Sequence, residues 1–212
     1  MRHTPSPTHR ALAAAGIALG VLLTGCASVY RVDSQVQSFA RWPQAGTPTV
    51  PVAPQRYRFE RLPSQLEGSA ASTQDTLEAL TRSALGRVGW TVAATGEATP
   101  WTVQVSAGTL QLPRAPWDEP RAGLRPSIGL FGGNGYWGTS LSMRLDMPYY
   151  ERQLTLVIRH GATGQAVYET SARHDGRWAS SPELWGAMLD AALRDFPQPP
   201  SGPRQINIDL PR

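Results

Sequence analysis

The sequence predicts an α+β fold: a largely antiparallel β-sheet with two helices packed on one face, a two-layer sandwich interrupted by a long Gly- and aromatic-rich loop. Three observations lead there. Short runs of period-two apolar alternation recur along the chain. A helical apolar stripe occurs in only two places. The clearest pair of alternating runs is joined by four turn residues, as in a β-hairpin.

Taken in order, Ser28 to Phe39 alternates weakly, with Tyr30, Val32 and Val36 on one face, and reads as the first strand. The Pro-rich loop 43–55 contains Pro48, Pro51 and Pro54 and is expected to be extended, without regular hydrogen bonding. Arg56 to Leu62 alternates again, with Tyr57 and Phe59 inward. A helix follows, with Ser72 and Asp75 at the spacing of a capping box. Its stripe is Leu77, Leu80, Ala84, Leu85 and Val88, and Gly89 stands where a left-handed cap is wanted. Trp90 to Ala94 begins another strand.

Trp101, Val103, Val105 and Ala107 alternate strictly; Leu110 and Leu112 continue the apolar set in shifted phase, which predicts a bulge near Gly108. Residues 113–138 form a long irregular Gly-, Pro- and aromatic-rich loop, and Leu141 to Met147 a short strand. Glu151 to His160 and Gln165 to His174 make the hairpin around Gly161-Ala162-Thr163-Gly164. The second helix has Ser181 as N-cap and Pro182 at its first position, with Ser180 and Glu183 also at capping-box spacing. Trp185, Met188, Leu189, Ala192, Leu193 and Phe196 line its apolar face, and Pro197 stops it. Ile206, Ile208 and Leu210 alternate as a last strand.

The amino terminus has the three parts of an export signal. Met1 to Arg10 carries Arg2 and Arg10 and no acid, and Ala11 to Leu22 is a run of 12 residues that are apolar or Gly. That run is short of the roughly 20 residues a membrane-spanning helix needs. Then comes Leu23-Thr24-Gly25-Cys26, which resembles the bacterial lipobox. Residues 1–25 are thus expected to be removed, with cleavage between the small Gly25 and Cys26. The Cys26 thiol takes a diacylglyceryl group, and the freed amine an acyl chain. Several chains anchor firmly, at about 0.8 kcal/mol per buried methylene. Residues 26–212 are then a single periplasmic domain. Ala27 follows Cys26, in place of the Asp that holds lipoproteins in the inner membrane of well-studied envelopes; by that analogy the expected location is the outer membrane, facing the periplasm.

Composition removes other classes. Cys26 is the only cysteine among the 212 residues, so the chain forms no internal disulfide. The 20 basic residues are all Arg, which excludes lysine-dependent chemistry and a Walker-type loop. The net charge is +4, and with Arg2 and Arg10 removed the domain is near +2. No Arg cluster alternates with aromatics, so no nucleic-acid partner is expected.

Candidate chemistry is sparse. Gly133 to Gly138 spells GxGxxG, but without the preceding strand and following helix that a dinucleotide site requires. His160 and His174 could face each other across the hairpin, where Asp175 could join them in holding a metal, or either could act as a hydrolase base. Polar side chains on the surface of a hairpin account for them more simply, and neither a nucleophile elbow nor a carboxylate pair accompanies them. No catalytic residue, metal or cofactor is expected beyond the covalent lipid on Cys26. The aromatics Trp117, Phe131, Tyr136, Trp137, Tyr149 and Tyr150 lie on or beside the long loop. They read either as a lid of core or as a surface for a glycan, lipid or protein.

The mature chain resembles the envelope lipoproteins that carry the domain of unknown function 4136. The likeness rests on the order of several segments. Tyr57-Arg58-Phe59-Glu60-Arg61-Leu62-Pro63 precedes a helix that closes in Leu85-Gly86-Arg87-Val88-Gly89-Trp90. A Gly- and Tyr-rich middle follows, with Gly132 to Gly138 and Tyr149-Tyr150. The hairpin from Leu154 to Glu169 and a helix ending in Phe196-Pro197 complete it. The resemblance implies fold and envelope location and no reaction. The expected function is a non-enzymatic binding or structural module, tethered to the membrane and recognising an envelope protein or glycan. The alternatives are an accessory subunit of an outer-membrane transport or assembly complex and, third, an envelope hydrolase. Oligomeric state is open.

Overall fold

Alternating burial shows directly in the strands of the computed structural model, which describes residues 29–45, 47–48, 50–117, 148–177 and 181–210. The signal, Cys26, Phe131, Tyr136, Trp137, the GxGxxG stretch, Ser180 and the strand expected at Leu141 to Met147 lie outside the described residues. Val32–Ile208 form one compact unit; the described residues outside it are 29–31 and 209–210, where Arg31 and Asp209 make an ion pair at 2.8 Å.

The elements are β1 (Tyr30–Ala40), β2 (Gln44–Ala45), β3 (Thr47–Pro48), β4 (Gln55–Phe59), a 3-10 turn (Pro63–Gln65), α1 (Gly68–Arg87), β5 (Trp90–Val92), β6 (Trp101–Leu112), β7 (Tyr149–His160), β8 (Ala166–Gly176), α2 (Pro182–Ala192) and β9 (Arg204–Leu210). Among the described residues, seven strands form one open sheet in the order β5-β4-β6-β7-β8-β1-β9. The class is α+β, with a mostly antiparallel sheet and two helices. β4 is the exception, running parallel to both neighbours, β5 and β6. α1 is the crossover between β4 and β5, the length such a parallel connection requires. α1 packs on β5 and β6, α2 on β7 and β8, and the helices pack on each other.

One face of the central strands carries the core. Leu154, Leu156 and Ile158 of β7 pair with Ala172, Thr170 and Tyr168 of β8, and all six are buried. Val36 and Ser38 of β1 continue the same rows opposite Ala172 and Thr170. Each fully buried aliphatic side chain contributes about 1.5–3 kcal/mol. Ser38 and Thr170, two polar members of this face, satisfy each other. Ser38 Oγ lies 2.8 Å from Thr170 Oγ1, which donates to the Ala192 carbonyl of α2 at 3.0 Å. That bond ties α2 to the sheet.

A second knot of core sits where β1 ends and β8, β5 and β6 begin. Trp42 stacks on Tyr168 with ring centroids 5.9 Å apart and meets Trp101 and Phe196 edge-on. Its indole Nε1 donates to the Pro197 carbonyl at 2.9 Å. Trp90 packs on Phe196, Trp101 and Trp42.

The structure changes four sequence expectations. The β6–β7 register runs unbroken from Trp101↔His160 to Leu112↔Tyr149, so there is no bulge at Gly108. Leu110 therefore faces away from Val103 and Val105 and is exposed; the shifted apolar phase is a change of face. The irregularity lies instead between β7 and β8 at Ile158/Arg159. Second, α1 starts at Gly68, and Ser72 lies inside it, donating back to the Ser69 carbonyl at 3.0 Å. Asp75, the other half of the expected box, is drawn to Arg61 at 2.6 Å, and Ala70 and Ala71 extend the helix upstream. Third, the Pro-rich segment holds a two-residue ladder, Gln44–Ala45 with Thr47–Pro48, and yields its last residue, Gln55, to β4. So short a ladder tolerates Pro at its end. Fourth, α2 ends at Ala192, short of Phe196, because Leu193 leaves helical geometry.

Other elements stand as read. Gly89 closes α1 at φ +80°, a conformation that favours glycine, and a Cβ there would sit 2.6 Å from the Ala53 side chain. Ser181 caps α2, its hydroxyl accepting from the Leu184 N–H at 3.3 Å. Ser181→Ala is expected to lower unfolding stability by about 1 kcal/mol, read as a shift of the urea midpoint with unchanged slope.

Candidate binding surface at the long-loop end of the sheet

Antiparallel pairing gathers four strand ends in one place. The start of β1, the end of β8, the start of β7 and the end of β6 lie together, because each strand reverses its neighbour. The long loop leaves from Leu112 and returns at Tyr149, which are register partners. Its described beginning folds back over this end: Ala115 is buried, whereas Trp117 is 67% exposed.

Trp117 meets Tyr149 edge-on, with centroids 5.0 Å apart. Tyr149 and Tyr150 are the first two residues of β7, so they belong to the strand and not to the loop. Tyr149 is only 4% exposed, and its hydroxyl donates to Asp175 on β8. Burial raises the Tyr149 phenol above its ordinary range, and the hydrogen bond and negative charge of Asp175 push it the same way. Trp117 is thus the exposed ring, and Tyr149 the buried seat that fixes it.

The opposite face of the same strand end holds His174 and a group that sequence reading passed over, Arg152. Arg152 is fully buried, its guanidinium carbon 5.3 Å from the Tyr150 ring centroid. It pairs in register with His174, also buried. The His174 Nδ1 lies 2.7 Å from the Asp33 carbonyl of β1 and 3.3 Å from the Asp33 carboxylate. A carbonyl only accepts, so Nδ1 donates to it, while Nε2 is buried and without a hydrogen-bond partner among the described residues. Arg152 stands in phase with Leu154, Leu156 and Ile158. A charge in that phase was the available signal for a buried polar site.

The two histidines do not face each other. His160 pairs with Trp101 at the turn end of the hairpin, and its ring lies 5.7 Å from that of Trp101. His174 pairs with Arg152 at the far end. Asp175 shares neither an ion pair nor a hydrogen bond with His160 among the described residues, and no group of three His, Cys, Asp or Glu there could hold a metal. Two of the open clefts among the described residues lie elsewhere. One, of about 590 Å³, is lined by Leu77, Leu80, Ala107 and Trp185 between α1, α2 and β6. The other, of about 760 Å³, lies beside Phe39, Trp42 and Tyr168 at the opposite end of β1.

No family model matches the chain, and no curated protein does. Among solved structures it is similar to a PDZ domain protein from Parabacteroides distasonis, with a TM-score of 0.50 at 11% identity over 93% of this chain. The chain spans 42% of that structure, and the likeness is one of fold alone. Two PelC dodecamers from Paraburkholderia phytofirmans are also similar, each with a TM-score of 0.37, at 8% and 9% identity over 76% of this chain and 94% and 95% of theirs. No helix among the described residues is long and apolar enough to cross a membrane.

Proposed function

We propose that this chain is an envelope lipoprotein, tethered through lipidated Cys26 to the outer membrane, whose two-layer α+β domain faces the periplasm as a non-enzymatic binding or structural module. It is read as a relative of the lipoproteins with the domain of unknown function 4136. The observation that carries a binding role is Trp117: a large, exposed aromatic ring seated on a buried tyrosine, at the point where the long loop leaves the sheet. Rigid aromatics of this kind make effective contact anchors, because little rotamer freedom remains to be lost on binding.

Deleting Arg121 to Gly138 together with Trp117→Ala tests this reading. The circular dichroism and urea midpoint of the lipoprotein are expected to stay close to those of the full chain, while species crosslinked through the domain in intact cells are lost. Unchanged crosslinking after the deletion would overturn the loop-end site.

A further inference from the structure

Resting on the lipid anchor proposed above, we infer that the long-loop end of the sheet is the membrane-facing end of the domain, and that Trp117 rests in the headgroup region of the bilayer that holds Cys26. The argument is one of reach. Six Cα–Cα steps lead from Cys26 to Val32, the first β1 residue of the compact unit. Fully extended, they span at most about 21 Å. β1 begins at the end of the sheet where β8 finishes and β7 starts. Trp117 lies on Tyr149 of β7, whose hydroxyl reaches Asp175 of β8, the strand beside β1. At about 4.8 Å per strand, Trp117 and the start of β1 are roughly 10–15 Å apart across the sheet.

The opposite end, with Trp42, Trp90 and Phe196, is a strand length away. β7 has 12 residues, or roughly 40 Å. A tether shorter than the sheet holds the near end at the bilayer and leaves the far end in solution. The surface chemistry agrees with this orientation. Trp and Tyr favour the interface, where the ring meets acyl chains and the polar edge meets headgroups. Charges around them are mixed: Asp33, Asp175 and the Glu151–Arg173 pair at 3.2 Å stand near Arg114 and Arg177. A zwitterionic headgroup layer suits such a surface better than a strongly charged one does.

The single cysteine makes the test clean. Once Cys26 is acylated at sulfur, an introduced cysteine is the only free thiol. Pro116→Cys, exposed beside Trp117, and Gln198→Cys, exposed at the far end, are each spin-labelled in the full lipoprotein. Both are reconstituted into phosphatidylethanolamine–phosphatidylcholine vesicles. Collision with a water-soluble nickel reagent is expected to be about threefold or more lower at position 116 than at 198. Adding Trp117→Ala to Pro116→Cys should restore much of the access. Equal access at both positions, with the lipid on Cys26 verified by mass, overturns the orientation and leaves the anchor reading intact. A free thiol at Cys26 overturns the anchor itself. Protection at 116 that needs an added envelope extract, and is absent with lipid alone, overturns the lipid assignment in favour of a protein partner.

Discussion

Trp90→Ala is expected to lower the unfolding free energy of the domain by about 3–5 kcal/mol. Trp90 is 1% exposed, and its ring packs on Phe196, Trp101 and Trp42 at centroid distances of 5.1, 5.8 and 6.2 Å. Truncation removes a side chain that buries about 150–250 Å² and opens a void between three rings anchored on separate segments. β5 is only three residues long, so it has little backbone pairing of its own to hold it in place. Domains are stable by about 5–15 kcal/mol in total. The loss therefore raises the unfolded population by roughly two orders of magnitude or more. Urea unfolding followed by tryptophan emission measures it. Trp117→Ala, at an exposed site, should move the midpoint by no more than about 0.5 kcal/mol. Equal effects of the two substitutions would show that the aromatic knot is not the principal core at that end.

Cys26→Ser is expected to abolish lipidation outright. A serine hydroxyl is a far weaker nucleophile than a thiolate at neutral pH, so the diacylglyceryl transfer and the cleavage that follows it both stop. One 16-carbon chain contributes about 12 kcal/mol of transfer free energy on a per-methylene basis, and several chains make release negligible. Metabolic labelling with a clickable palmitate analogue should mark the wild-type chain and leave Cys26→Ser blank. Label retained on the serine variant would show that the lipid is elsewhere, and no label on the wild-type chain would show that the signal is an ordinary secretory one.

Much of the fold was legible because it rests on periodicity. The hairpin β7–β8 was placed by alternation and a Gly-containing turn, and α2 by its Ser181 cap. What escaped reading has a common cause: polar residues in the core phase of strands and helices. Ser38, Thr170, Gln74, Glu78 and Thr81 are all buried, and each depends on a partner or backbone from a distant or neighbouring turn that no local pattern reveals. Glu78 shows how this works. It is buried because Arg61, 17 residues earlier, meets it with two hydrogen bonds at 2.7 and 2.8 Å. Trp42 was missed because it lies one residue before the Pro-rich segment, yet it joins the aromatic knot through Tyr168 and the Pro197 carbonyl. Of the aromatics singled out, Trp117, Tyr149 and Tyr150 are brought to one strand end, with only Trp117 well exposed. The division between buried seat and exposed ring depends on which face each strand residue takes, and a residue list does not hold that information.

The twelve-pair register of β6 and β7 holds Leu112 and Tyr149 side by side, whatever connects them. The connection is therefore an insertion port. Doubling the length of a flexible connection costs only about 0.6 kcal/mol in closure entropy. Related chains could thus lengthen, shorten or exchange this segment with little effect on the sheet beneath. The same position is the natural place to graft a foreign peptide or a compact domain for display at the cell envelope.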